Sequence, residues 1–221
     1  MTLMCCDQCG KNLPDTMYRI KTVENSKEKE LSYRENFKRY NRAKASGFYF
    51  ECLWILYAML EDRTSAFLYY LGFTSAEKRS SVVGNRKIKM QIRTIFNMTD
   101  DSTQNIKYKF DTISGKLLRI HQVVVWSGID TGEITDYQKS VKKAVARLKS
   151  DTDFLDSLAY LNDEWRVKRN QLIHALFNKA PDTVGAELLP VVEKGYKAVR
   201  ILDNAISRLK REKIRERFNI Q

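Results

Sequence analysis

An all-α helical bundle is the fold class that the sequence predicts, and three observations support the prediction. The 221 residues include only nine glycines and three prolines, so few residues interrupt regular structure. Apolar residues recur at intervals of three and four over long stretches, which is the spacing of an amphipathic helix. The apolar fraction of 43% is enough for a core, and the length suits one domain, or one domain with an appendage.

The N-terminal region is expected to differ from the rest of the chain. Residues 1–30 are predicted to form a short arm that bears cysteines, and residues 31–221 to form the helical domain, with inserted helices around 75–150. Cys6 and Cys9 have the spacing of half a zinc knuckle, but a structural zinc requires four ligands and no second such pair follows. The sequence therefore predicts no metal site and no cofactor, with these two cysteines as weak metal candidates.

The first half of the helical domain begins with a charged helix, expected over about 31–44. The segment between Gly47 and Gly72 is apolar almost all round, which is typical of a buried helix. Gly72 suits the C-terminal end of that helix. The spacing of Ile88 and Ile92 predicts a further helix.

The second half contains one ambiguous segment and three predicted helices. Residues 116–128 fit a helix or a short strand, because a run of valines keeps the strand open. An amphipathic helix is expected after Thr135, which suits its N-cap. A long helix is expected over 151–178 with Pro181 as its stop signal, and a last helix over about 183–217.

The charge of the chain favours polyanionic partners. The net charge is +12, and basic residues cluster in 78–93 and in 208–218. Such an excess indicates nucleic acid above all, although a basic surface also serves solubility alone. No stretch is apolar for long enough to span a bilayer, and the start lacks a signal-peptide pattern. We therefore expect a cytoplasmic protein with no membrane partner.

The run DEWRVKRNQLIHALF, near the end of the long helix, combines core spacing with a polar patch. On a helix, Arg169 shares an arc with Trp165 and Leu172. That is an unusual place for a cation, because burying an unpaired charge is costly. Asn170 and His174 are four residues apart and therefore lie on one ridge beside Arg169.

Glu61 is a second unusual charge. It follows Trp54 by seven residues and Tyr57 by four, so the spacing puts it on the apolar face of its helix. A carboxylate on that face needs a partner, and Arg169 is the expected one. On physical grounds alone, such a pair is read as a structural ion pair rather than as a site.

The hexapeptide RNQLIH, from Arg169 to His174, resembles the R-x4-H motif of the HEPN superfamily, with a polar residue after the arginine. It lies on a late helix of a predicted all-α protein, and an upstream helix carries YAMLEDR. In this setting the chain is similar to HEPN domains over roughly residues 46–72 and 151–210. The N-terminal arm and much of the middle fall outside the resemblance.

The resemblance implies a metal-independent RNA endonuclease that acts as a homodimer, with two R-x4-H helices in one composite cleft. A ribose 2′-OH would attack its own adjacent phosphate and leave a 2′,3′-cyclic phosphate end. His174 would be the general acid or base. Arg169 would hold the phosphate, and Asn170 would orient the imidazole or bond a phosphate oxygen. Glu61 would support Arg169.

The same resemblance leaves several roles open. Arg166 and Lys168 are expected to grip the RNA backbone, or else to be solvated helix charges. His121 has no motif around it and is read as structural. HEPN domains often serve as toxins or in antiviral defence, so an antitoxin or regulatory protein is an expected partner. Two rivals remain: a non-catalytic HEPN-type module that binds a nucleotide, nucleic acid or partner protein, and a basic helical nucleic-acid-binding protein without chemistry.

Overall fold

The predicted all-α class is confirmed. The computed structural model describes residues 26–75, 82–98, 109–175, 178 and 181–221. Within these ranges the regular elements are helices, and an isolated antiparallel bridge joins Thr74 to Val82. The chain divides into two units with their boundary between Arg42 and Ala43. Cys6, Cys9 and most of the predicted N-terminal arm lie outside the described residues.

The helices follow one another along the chain. In order they are α1 Ser26–Ala45, α2 Tyr49–Tyr70, α3 Arg86–Ile95, α4 Ile113–Ser127, α5 Asp136–Lys149, α6 Thr152–Ala159, a π-helical turn Tyr160–Trp165, α7 Arg166–Ala175, α8 Pro181–Arg211 and α9 Ile214–Arg217.

Helix α1 is strongly charged and begins at Ser26, five residues before the predicted start. Its surface carries ion pairs at helical spacing. Arg34 lies 3.2 Å from Glu30, and Lys38 lies 2.7 Å from Glu35. Exposed pairs of this kind stabilise a helix by only a few tenths of a kcal/mol each, roughly 0.2–0.5.

Helix α2 is the central element of the second unit, because it packs along α8 and against α4. Its end at Gly72 follows the prediction. Gly72 has φ +85°, a conformation that glycine adopts without steric cost. Its N–H donates to the Tyr69 carbonyl oxygen at 2.9 Å, and the Phe73 N–H donates to that of Leu68 at 3.0 Å. The paired bonds satisfy carbonyls that the helix end would otherwise leave open.

The segment that fitted either a helix or a strand is helix α4, which packs on α5 and α2. The Thr112 side chain caps it by accepting from the Gly115 N–H. Helix α5 begins as predicted at Thr135, whose hydroxyl accepts from the Gln138 N–H while the Gln138 side chain accepts from the Thr135 N–H. This reciprocal capping box fixes the start of α5.

The predicted long helix is continuous from Thr152 to Ala175 but contains the π-helical turn. Asp151 caps its start by accepting from the Phe154 N–H at 3.0 Å. The turn ends at Trp165, which is fully buried, and the indole Nε1–H donates to the Val191 carbonyl oxygen of α8 at 3.2 Å. Trp165 thereby fixes α7, which follows directly, against α8.

The end of the chain differs from the prediction. Instead of one helix over about 183–217, α8 begins at Pro181, where the missing N–H has no cost, and ends at Arg211. Lys213 then has φ +50°, which no helical residue adopts, so the short α9 forms a separate element. Across the described ranges, none of the helices combines the length and apolarity that crossing a membrane requires.

Candidate functional site

Helix α7 places Arg169 on its inner side. Its guanidinium-bearing side chain is only 8% exposed, and Trp165 and Leu172 on the same arc are buried as well. The helical spacing predicts this shared arc. Arg169 is therefore a cation at the edge of the core, and its neighbours decide whether the charge is compensated.

Aromatic rings cover the Arg169 guanidinium. Its central carbon lies 3.9 Å from the centroid of the Tyr57 ring and 5.3 Å from that of the Trp54 ring. Cation–π contacts at these distances are each worth about 0.5–2 kcal/mol. One terminal N–H donates to the Asn170 side-chain oxygen at 2.9 Å, whereas the buried Nε has no hydrogen-bond partner.

Burial lowers the pKa of Arg169, while Tyr57 acts in the opposite direction. Among the residues that the structure describes, no carboxylate forms an ion pair with this guanidinium. Within the described ranges, the arginine thus keeps a positive charge that no acidic side chain neutralises. A guanidinium in that state is suited to an anion such as a phosphate, because its planar N–H groups can bind two oxygens at once.

The expected pair between Glu61 and Arg169 is wrong for the described structure. Glu61 is exposed, and so is Trp54, which is 54% exposed. The sequence places Trp54, Tyr57 and Glu61 on one face, but that face of α2 points outward rather than into the core. The Trp54 and Tyr57 rings contact Arg169, and the Glu61 carboxylate remains in solvent.

His174 and Asn170 lie beside Arg169 on the surface side of α7. His174 is exposed, and Asn170 is partly exposed. The His174 backbone carbonyl oxygen accepts from the Asn178 side chain at 3.4 Å. The structure therefore brings Arg169 and Asn170 into direct contact and leaves the imidazole on the next turn accessible to a ligand.

The two flanking basic residues have different environments. Arg166 is partly buried, and its Nε–H donates to the Asn162 carbonyl oxygen at 3.3 Å. Lys168 is exposed. Only Lys168 is therefore available without rearrangement to contact a ligand in solvent, and Arg166 has part of its hydrogen-bonding capacity committed to the backbone.

Trp54 is the member of the site that the sequence interpretation missed. Its apolar type suggested a core position, yet it is among the most exposed large hydrophobic side chains of the described chain. The signal was present in the sequence. Ala58 and Glu61 follow Trp54 by four and seven residues, so a small side chain and a carboxylate share its arc of the helix.

The remaining histidine and the possibility of a metal site complete the comparison with the sequence predictions. His121, expected to be structural, is exposed on α4. Within the described ranges, no three histidine, cysteine, aspartate or glutamate side chains group as metal ligands.

Comparison of the chain with family models, with curated proteins and with solved structures gave no match.

Proposed function

We propose that the chain is a metal-independent RNA endonuclease that acts as a homodimer. The observation that supports this most is the arrangement on α7. A buried Arg169, with no carboxylate partner in the described structure, lies beside Asn170, and an exposed His174 follows one turn later. In 2′-OH-driven cleavage of a phosphodiester, a fixed guanidinium can stabilise the charge on the phosphate and an accessible imidazole can serve as general base or acid.

The chemistry assigns each group a role. One His174 removes the proton from the ribose 2′-OH, whose oxygen attacks the adjacent phosphorus. Arg169 stabilises the negative charge that develops on the phosphorane-like transition state. The His174 of the second copy donates a proton to the departing 5′ oxygen. The products are a 2′,3′-cyclic phosphate and a 5′-hydroxyl end, and deoxyribose is not cleaved because it lacks the nucleophile.

The surroundings of the motif support a dimeric site. Trp54 on α2 is an exposed apolar side chain whose ring contacts Arg169. Exposed apolar groups next to polar ones are typical of interaction surfaces. We infer that this surface meets a second copy, while Lys168 and the net charge of +12 attract the RNA backbone.

The two histidines provide a matched test, because His174 and His121 are both exposed on helices. Purified parent, His174→Ala and His121→Ala chains are incubated with total RNA in excess chelator. We expect His174→Ala to lose at least about a hundredfold in cleavage rate, the usual contribution of a general acid or base. His121→Ala should cleave like the parent.

Three outcomes would contradict the proposal. They are no cleavage by the parent, equal cleavage by His174→Ala and the parent, and cleavage that chelator abolishes. RNA binding without cleavage would favour a non-catalytic nucleic-acid-binding module instead. A toxin or antiviral-defence role, a cytoplasmic location and an antitoxin partner remain predictions from the resemblance to HEPN domains.

A further inference from the structure

A basic cavity lies at the other end of α2, between the end of α2 and the last two helices. It has a volume of about 500 Å³, and its walls include Tyr69, Tyr70, Lys210, Lys213 and Arg215. Glu216 is the acidic side chain among the lining residues, so the three cations are in excess. The volume falls within the range of small-molecule sites, roughly 300–1,000 Å³.

Arg215 is a buried cation without a carboxylate. It is 9% exposed, and its guanidinium carbon lies 4.0 Å from the centroid of the Tyr69 ring. Its Nη1 donates to the backbone carbonyl oxygens of Tyr69 at 3.2 Å and Thr74 at 2.6 Å, while its buried Nη2 has no partner. In the described structure no acidic side chain forms an ion pair with it, so its charge acts on the cavity without neutralisation.

Lys213 is the second unusual residue of the cavity. Its φ of +50° is uncommon for a side chain larger than glycine or asparagine. Strained backbone of this kind is retained where surrounding structure fixes it, often at ligand sites. The conformation ends α8 and starts α9, and it leaves Lys213 and Lys210 exposed at the cavity.

The cavity is separate from the Arg169 site. Tyr69 follows Tyr57 by twelve residues on α2, which corresponds to about 18 Å along the axis and about 120° around it. A mononucleotide cannot contact both places. The cavity therefore has its own ligand, or it contacts a distant part of a longer one.

We propose that this cavity binds the phosphate of a nucleotide. Lys210 and Lys213 supply exposed cations, and the Lys213 ammonium lies 3.6 Å from Glu216 in an exposed pair that a phosphate can displace. Arg215 supplies a fixed cation, and the tyrosines with Leu209 and Ile220 supply aromatic and apolar surface for the remainder of the ligand. A free mononucleotide and a phosphate of an RNA strand share this chemistry. The assignment does not require the chain to cleave RNA.

Binding is measured by calorimetry on the full-length His174→Ala chain, so that an RNA probe is not consumed. The probes are ATP, AMP, inorganic phosphate, adenosine and a short single-stranded RNA. We expect ATP and AMP to bind and adenosine not to bind, because the charged contacts depend on the phosphate. Adding Lys210→Gln and Lys213→Gln should weaken nucleotide binding at least about tenfold, since two charge-assisted contacts are lost.

The matched control adds Lys87→Gln and Lys139→Gln, which remove the same charge from exposed positions away from the cavity. Equal weakening in both double variants would show that only overall charge matters and would overturn the proposal. Adenosine binding as tightly as AMP, or no binding of any probe, would overturn it as well. RNA binding that depends on Lys210 and Lys213, with no mononucleotide binding, would assign the phosphate to an RNA strand.

Discussion

Single residues show how the core of this protein tolerates positive charge. Arg119, Arg169 and Arg215 are all buried, and each stacks on an aromatic ring, at 5.2, 3.9 and 4.0 Å from the centroids of Phe96, Tyr57 and Tyr69. Burial lowers the pKa of each guanidinium. A ring covers each guanidinium, and among the described residues no carboxylate forms an ion pair with Arg169 or Arg215, so the charge of these two acts on the sites beside them. A carboxylate partner would neutralise that charge.

The burial of Arg169 was predictable from the sequence, but its neighbours were not. Helical spacing alone places Arg169 on the arc of Trp165, because that spacing depends only on local geometry. Which face of α2 it meets depends on how two distant segments pack. The sequence places Glu61 on the same face of α2 as Trp54 and Tyr57. Only the packing of the two helices shows that the two rings, and not the carboxylate, contact the guanidinium.

Lys116 is a further buried cation, and its effect on stability can be tested by changing the pH. Its ammonium is buried and donates to the Ser65 hydroxyl at 2.9 Å. Burial lowers its pKa from the ordinary 10.5, and the carboxylates of Glu61, Asp111 and Asp62 oppose that shift. Between the lowered pKa and 10.5 the unfolded chain binds more protons than the folded one, so the lysine destabilises less as pH rises.

We therefore expect the difference in stability between Lys116→Met and the parent chain to depend on pH. The free energy of unfolding of the parent should rise relative to that of the variant as pH approaches 10.5. The change should be about 1.4 kcal/mol for each pH unit by which the pKa is lowered. Urea denaturation of both chains over the alkaline range measures it, and a difference that does not vary with pH would contradict the prediction.

At the scale of helices, local sequence signals predicted those helix ends that a capping side chain or a glycine determines. Thr135 begins α5 and Gly72 ends α2 as predicted, because a side-chain oxygen and a positive φ act within a few residues. The π-helical turn Tyr160–Trp165 had no such signal. Its last residue, Trp165, bonds to a carbonyl of α8, a contact between segments that are distant in sequence.

Two glycines of α8 test that contact against each other. A Cβ added to Gly195 would overlap the indole nitrogen of Trp165, whereas among the described residues nothing lies within 4 Å of a Cβ added to Gly185. Gly195→Ala should destabilise the chain by about 1–3 kcal/mol, because Trp165 must move from its bond to Val191. Gly185→Ala should stabilise it by up to about 1 kcal/mol through helix propensity.

Thermal or urea unfolding of the two alanine variants measures both effects on one helix. Destabilisation by both substitutions would indicate that α8 rejects any added side chain. Tolerance of alanine at 195 would show that Trp165 is not fixed by close packing and that the position of α7 does not depend on it.

For the whole molecule, composition and periodicity predicted the helical class but not the order of packing. The pairing of α2 with α8 joins segments more than a hundred residues apart in the chain. No local pattern encodes such a contact, since any apolar stripe can pack on any other. For the same reason, the sequence does not predict which surface packs on the exposed side chain of Trp54.

A subunit-mixing experiment tests whether one active site contains residues from two chains. Parent chain is mixed with a ninefold excess of His174→Ala and left to exchange subunits. If each cleft needs His174 from both copies, about one tenth of the parent chains remain paired with each other, and cleavage per parent chain falls about tenfold. Samples assayed before exchange serve as the control. Cleavage per parent chain that stays constant after exchange, with mixed dimers shown by light scattering, would mean that each chain carries a complete site.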